Sequence, residues 1–417
     1  KQVRGTKFFE EHLTYLLEAA GDIPGRYQKE AKCKKGWKYA TAKTDPEREE
    51  LETHHNQLVR EWMAAKAAVS SWPNHIKRVD RICNQAKANG GILPVPLKYN
   101  GAITGRWSGS EKINLQNLGS RGHPLVNAIR ELLVAPPGCS LVIADASQIE
   151  ARVLAWIAGQ DDLVESFRAG TEVYCGFASK VLGRKVRKPV DNGVIQAVED
   201  WHFWARNSVG KVGILGCGYG MGWERCLDYA KNTYGVALTT EMAHAVVDHY
   251  RNTNQKIIKF WRDIEQAFKF VTRYPGQHCD LDRGLHFRNE DDCTIITLPC
   301  GRDLRYPEAR VTGTGYNEQL KVYNHKEHKW TYVWGGYLTE NVVQAMSRDL
   351  LAGAMLALED VGVKIGLHVH DEIIAVAAKA EAESTLANML TALRTSVGWA
   401  EGLPLEAEGR VCERYGV

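Results

Sequence analysis

The run Ser140-Leu141-Val142-Ile143-Ala144 is apolar and ends on Asp145. Glu150 follows inside a pattern, Ile149, Val153, Leu154, Ile157, that has helical spacing. A carboxylate at the tip of a buried strand can hold a hard cation if a second acidic tip joins it. The stretch GLHVHDEIIAVAA offers one, turning on His370-Asp371 between two short strand patterns. Two carboxylates side by side are the minimum for gripping two divalent ions ~3.5–4 Å apart, one activating an attacking oxygen and the other supporting a leaving group. Taken alone, Asp371 reads equally well as a turn aspartate bonded to its own backbone.

Three further groupings carry chemistry-bearing residues. Ser147-Gln148-Ile149-Glu150 fits a capping box, so Glu150 reads either as a helix-start residue or as a carboxylate beside Asp145. In ARNSVGKVGILGCGYGMG, Lys211, Leu215 and Tyr219 are four apart and share a helix face. Six glycines, from Gly210 to Gly222, are costly in a helix, by up to ~1 kcal/mol each; the segment is a Gly-rich loop or a helix that something large approaches closely. A phosphate-binding P-loop is excluded, because Gly210-Lys211 precedes Val212 rather than Ser or Thr. In TENVVQAMSRDLL, Glu340, Gln344 and Arg348 repeat every four residues, which is also the pattern of an ordinary solvated stripe. GAITGRWSGSEKINLQNL is, by itself, a polar turn with Arg106.

The elements that must position these residues are readable in outline. At 417 residues the chain needs two or three subdomains. Residues 1 to about 95 look helical, with a polar Lys/Gly-rich link from Gly21 to Thr44 and a long helix from Pro46 to about Lys87, broken at Pro73. Extended pieces follow from Ile92 to Gln116, then a strand and helix over Leu141–Ala158, a helical block from 161 to about 275, and strands and turns over Cys279–Tyr337. A helix over Thr339–Leu358, strands at Val363–Val369 and Ile373–Val376, and a helix from Ala380 to about Val397 complete the pattern.

Net charge is only +3, but Leu51–Ser110 holds eight Lys/Arg against three Asp/Glu, and Lys180–Pro189 holds five basic residues and no acid. Such stretches meet phosphates or are solvated faces. Ten cysteines without a C-x-x-C pair read as reduced and intracellular, hence cytoplasmic. No apolar run approaches the ~20 residues of a membrane span. The chain begins at Lys1, which reads as part of a longer protein.

In this order the motifs resemble those of the family A DNA polymerases, the class of the bacterial polymerase I large fragment. DASQIEAR resembles motif A, KVGILGCGYGMG motif B and VHDE motif C; TGRWSG…NLQNL, LPCGRDLRYP and ENVVQAMSRDLL resemble the family's intervening segments. The wording is most like bacteriophage members. The resemblance implies an α/β (α+β) right-hand fold: a helical thumb over 1–95, an antiparallel-sheet palm over 96–160 and 306–417, and helical fingers over 161–305. It implies a DNA-directed DNA polymerase adding deoxynucleotides to a primer 3′ end with two Mg²⁺ ions (or Mn²⁺), acting on primer–template DNA and dNTPs in phage replication. Helicase, primase or processivity partners stay open, and the host cytoplasm is the expected compartment.

By position, the resemblance makes Asp145, Asp371 and the Ala146 carbonyl the metal ligands, with Glu372 supporting them. Lys211 would neutralise the triphosphate and protonate the leaving pyrophosphate. Glu150 would exclude a ribose 2′-hydroxyl with Tyr219 closing the gate, while Gln148, Leu215 and Arg206 line the nucleotide site. Arg106, Asn117 and Gln344 would contact the duplex and His370 the primer terminus. Many relatives carry an Arg four residues before the motif B Lys; here that place is Asn207, and Arg206 is five before. Leu215 stands where cellular relatives have an aromatic, so weaker stacking on the base and poor acceptance of dideoxynucleotides are expected. The family's proofreading exonuclease lies upstream of the thumb, and the given residues supply no D-x-E pattern in that place, so no exonuclease is expected in the covered chain, while an N-terminal part beyond it could carry one. A single-subunit RNA polymerase, a polymerase-like DNA-binding protein without catalysis and a two-metal phosphodiesterase are the competing readings; Glu150, the intact Asp145/Lys211/Asp371 set and the motif B face, respectively, argue against them.

Overall fold

The computed structural model describes residues 6–30, 36–41, 45–118, 128–188, 201–325 and 328–416. The chain divides into two compact units, Lys1–Pro94 and Val95–Val417.

The first unit is built from α1 (Thr6–Ala19), a two-stranded hairpin of β1 (Gln28–Glu30) and β2 (Trp37–Tyr39), α2 (Pro46–Glu52) and α3 (Gln57–Ala88). Phe9, Leu13, Leu17, Leu51, Val59 and Met63 form its core. The expected break at Pro73 does not occur: α3 runs through it. The interruption falls at 53–56 instead, where Asn56 accepts the Leu58 amide at 2.9 Å and starts a new helix. An interior proline removes one hydrogen bond and crowds the preceding turn, which a helix of 32 residues carries here, whereas the Asn56 side chain satisfies a free amide at the start of the new helix. The Gly21–Thr44 link contains the β1–β2 hairpin, which its polar composition concealed.

The second unit centres on a four-stranded antiparallel sheet in the order β13 (Ile365–Val369), β14 (Glu372–Ala378), β5 (Cys139–Ala146), β15 (Ala407–Cys412); the short pair β3 (Leu97–Lys98) and β4 (Ser108–Gly109) lies outside it. Leu141, Val142, Ile143 and Ala144 are all buried, which explains why β5 reads as an unbroken apolar run. The edge strand β15, with polar AEGRVC, has no such signature. From β5 the chain enters α4 (Ile149–Ile157), α5 (Asp161–Arg168) and α6 (Val173–Leu182), then a π-helical segment (Ala205–Gly216), α7 (Trp223–Tyr234), α8 (Thr240–Thr253) and α9 (Gln255–Arg273). A four-stranded meander follows, β6 (His278–Leu281), β7 (Leu285–Glu290), β8 (Cys293–Thr297) and β9 (Asp303–Pro307). Next comes a three-stranded sheet, β10 (Arg310–Thr312), β11 (Gln319–Asn324) and β12 (Lys329–Val333). The long α10 (Gly335–Asp360) packs on α4, α9 and α11 (Ala382–Arg394), and α11 lies on β5 and β15. No helix among the described residues is long and apolar enough to cross a membrane.

Candidate active site

Pairing of β14 with β5 sets Glu372 opposite Asp145, and the Ala146 amide donates to the Asp371 carbonyl at 2.9 Å. Asp145 and Asp371 therefore emerge at the same end of neighbouring strands and line one cleft. Neither carboxylate makes an ion pair among the described residues. Burial is the main cause pushing the Asp145 carboxyl up, and the Asp371 carboxylate is the next. Asp371 is also raised, by burial first, with Glu150 and Glu372 adding to it and Arg106 opposing. Negative charge held at a strand tip and only partly offset by Arg106 and Arg410 calls for a cation.

The turn that carries Asp371 is held from outside. His370 adopts φ 53°, a left-handed conformation uncommon for a side chain of this size. Gln116 clamps it, accepting the His370 amide at 3.0 Å and donating to the His368 carbonyl at 2.7 Å. Glu372 lines the same cleft and is held by Tyr415, whose hydroxyl donates to it at 2.5 Å, and by Arg130, 3.7 Å away. Among the described residues no three acidic, His or Cys side chains form a metal-holding cluster. The available donors are two carboxylates and backbone oxygen, which suits a hard cation whose remaining oxygens come from phosphate and water.

Glu150 is not a helix cap. Gln148 is the N-cap of α4, at φ 56° and without a side-chain cap bond. Reaching back to Ser147 is therefore replaced by a forward reach: Glu150 forms an ion pair with Arg106 and accepts from the Tyr219 hydroxyl at 3.4 Å. Burial, then the Glu150 carboxylate, pushes the Tyr219 hydroxyl well up, so it stays a donor.

The Gly-rich stretch is helical, not a loop, and it is wound as a π-helix. Its wider turn brings residues five apart, as well as four apart, onto one face. Arg206, Lys211, Leu215 and Tyr219 all line the cleft. Arg206, not Asn207, takes the place before Lys211; Asn207 donates to the Phe203 carbonyl at 2.9 Å instead. Glu172 holds Arg206 at 2.7 Å and caps α6 through the Cys175 amide at 2.8 Å. The expected close approach to the glycines comes from α6: a Cβ at Gly210 would overlap the Tyr174 carbonyl, and one at Gly213 the Phe177 ring.

Arg106 is positioned by a buried ionic cluster. Asp349 receives Arg302 at 2.9 Å and Arg348 at 3.0 Å. Arg302 donates onward to the Thr104 carbonyl at 3.0 Å, and Arg348 to the Gly105 carbonyl at 3.0 Å. The Arg348 guanidinium also lies 4.3 Å from the Trp107 ring centre, and Trp107 meets His368 edge-on at 4.5 Å. The Glu340/Gln344/Arg348 face is thus no solvated stripe: Arg348 is buried, Glu340 lines the cleft, and Gln344 donates to Glu340 at 3.0 Å. Asn117 closes a 3-10 turn, and its side chain lies outside the described residues. The sequence reading missed Gln116, Arg302, Asp349, Arg130 and Tyr415. Gln116 and Arg302 sat unremarked inside NLQNL and LPCGRDLRYP; nothing in the sequence marked Tyr415.

A carboxylate pair at a sheet end, faced by a Lys/Arg-bearing helix, sits here in the fold of a polymerase domain. Across the whole chain and 61% of the other, it superposes with a TM-score of 0.64 and 20% identity on the POL domain of Pol1 from M. smegmatis, a complex with DNA primer–template and dNTP. The profile of DNA polymerase family A matches residues 15–275, and the chain belongs to that family. It is 29% identical over 351 residues to the DNA polymerase of Bacillus phage SP02, covering 76% of this chain and 51% of that one. It is 29% identical over 331 residues to the thermostable DNA polymerase I of Thermus aquaticus, covering 78% and 32%. The chain spans about half the length of the phage relative.

Proposed function

We propose that this chain is the polymerase portion of a DNA-directed DNA polymerase that adds deoxynucleotides to a primer 3′ end, in phage replication. The observation that carries the reading is the convergence of Asp145 and Asp371, neither ion-paired among the described residues, on a cleft that also receives Lys211 and Arg206. Residues 1–95 act as thumb, 96–160 and 306–417 as palm, and 161–305 as fingers.

Asp145, Asp371 and the Ala146 carbonyl would hold divalent magnesium, which when bound supplies charge neutralisation and an activated oxygen. The rest is positioning and electrostatics by the chain itself. Lys211 and Arg206 meet the triphosphate, and Lys211 gives a proton to the departing pyrophosphate. Glu150, fixed by Tyr219, fills the space a 2′-hydroxyl would need; Gln148 and Leu215 complete the nucleotide wall. Duplex binding draws Arg106 from Glu150 to the minor groove, with Gln344 and Asn117 beside it, and His370 steadies the primer end. Glu372, tied to Tyr415 and Arg130, keeps the Asp371 turn in place. Phosphate contacts by the basic thumb make DNA affinity fall steeply with salt.

The test is a primed template with Mg²⁺ and either dNTPs or rNTPs. Extension with dNTPs, lost in Asp145→Ala and in Asp371→Ala, is expected. Extension with rNTPs, or degradation alone, would overturn the proposal.

A further inference from the structure

We infer that the solvent face of the β10–β12 sheet is a track for single-stranded template DNA, leading from solvent into the cleft. Pairing of β11 with β12 sorts the side chains onto two faces. Leu320, Val322 and Val333 are buried in the core. The opposite face carries Lys321, Tyr323, Trp330 and Tyr332. Trp330, Tyr332 and Trp334 follow at every second position and remain 44%, 55% and 51% exposed. Three large aromatics in a row on one open face are not ordinary surface scatter.

The row is continuous at both ends. Tyr323 meets Trp330 at 5.4 Å between ring centres, and the Lys321 ammonium lies 4.7 Å from the Tyr332 ring centre. Trp334 meets Tyr337 at 5.8 Å, and both line the cleft that contains Asp145, Lys211 and Tyr219. The same face carries Lys321 and, opposite it on β10, Arg310, with no Asp or Glu among the strand residues that share it, a charge suited to phosphates.

Spacing selects the ligand. Alternate residues of a strand are about 6.6 Å apart, roughly twice the 3.4 Å rise per base along a duplex strand. One base per ring therefore fits only an unstacked, extended strand. Aromatic stacking tolerates any base sequence, as a template path requires. The strand entering the cleft unpaired is the template ahead of the primer, so the inference rests on the polymerase reading.

The experiment compares affinities of the full chain, by fluorescence anisotropy, for two primer–templates that differ only in a 5′ template overhang of about 1 or about 12 nucleotides. Wild type binds the longer overhang more tightly. The double variant Trp330→Ala/Tyr332→Ala loses about tenfold or more on the long overhang, in line with stacking losses per base, and nothing on the short one. Trp330→Phe/Tyr332→Phe keeps the preference, which separates stacking from a folding defect. Equal affinity of wild type for both substrates, or equal loss on both in the double variant, overturns the track and leaves the face as structural or as a protein-docking surface. Single-nucleotide extension on the short overhang, measured in parallel, reports on the polymerase reading separately.

Discussion

Replacing Asp145 by Asn should raise the stability of the metal-free protein at pH 8. Asp145 and Asp371 are both pushed up by burial and, for Asp145, by the other carboxylate. A carboxyl whose folded pKa exceeds its unfolded value binds its proton more tightly when folded. Stability therefore falls as pH rises from the unfolded towards the folded value, and the whole penalty is present above both. Each pH unit of displacement is about 1.4 kcal/mol. One unit is enough for about 2–3 °C of melting temperature in a domain of this size. Asn keeps the shape and removes the charge. In EDTA at pH 8, Asp145→Asn should melt about 2 °C or more above wild type, and the difference should vanish near pH 4, where wild type is protonated. Added Mg²⁺ at about ten times its Kd should raise wild type by about 1.4 kcal/mol and leave the variant unmoved. A variant less stable than wild type at pH 8 in EDTA would refute the reasoning, because favourable partners such as Arg410 would then outweigh burial and the Asp371 carboxylate.

Two other perturbations test separate parts of the site. Glu150→Ala should lower discrimination against ribonucleotides about 10–100-fold in steady-state incorporation ratios, since an open pocket rejects an added hydroxyl only weakly; an unchanged ratio would remove Glu150 from that role. Gly210→Ala should lower the melting temperature by up to about 4 °C, because overlap with the Tyr174 carbonyl costs about 1–3 kcal/mol and the helix-propensity gain returns at most ~1, a net loss of up to about 2 kcal/mol; a rise would contradict the close packing of α6 on the π-helix.

The carboxylate-bearing ends of β5 and β14 were legible because burial writes an unbroken apolar run that ends at Asp145 and a turn separates two strand patterns at Asp371. The Lys211–Leu215–Tyr219 face was legible from spacing. The choice between Arg206 and Asn207 was not, since it depends on π winding, which no simple periodicity announces. Glu150 was ambiguous because a capping box and a forward-reaching carboxylate share one string; the left-handed Gln148 decides between them. Strand β15 was invisible, as an edge strand needs no apolar run. The Asp349 cluster escaped because its partners lie far apart in the chain, Thr104 and Arg302 being separated by 198 positions. Close packing of α6 hid behind glycines that read equally as a loop.

If Asp145 and Asp371 grip the same divalent ions, a redox-active ion in their place should mark both. Ferrous iron substituted for Mg²⁺ and supplied with hydrogen peroxide is oxidised to ferric iron as it splits the peroxide into hydroxide and a hydroxyl radical, which cuts the backbone beside the metal. Mapping the fragments should show paired cleavage near 145 and near 371, suppressed together by excess Mg²⁺ and lost at both places in Asp371→Ala. Cleavage confined to one of the two places, or surviving in that variant, would contradict a shared site.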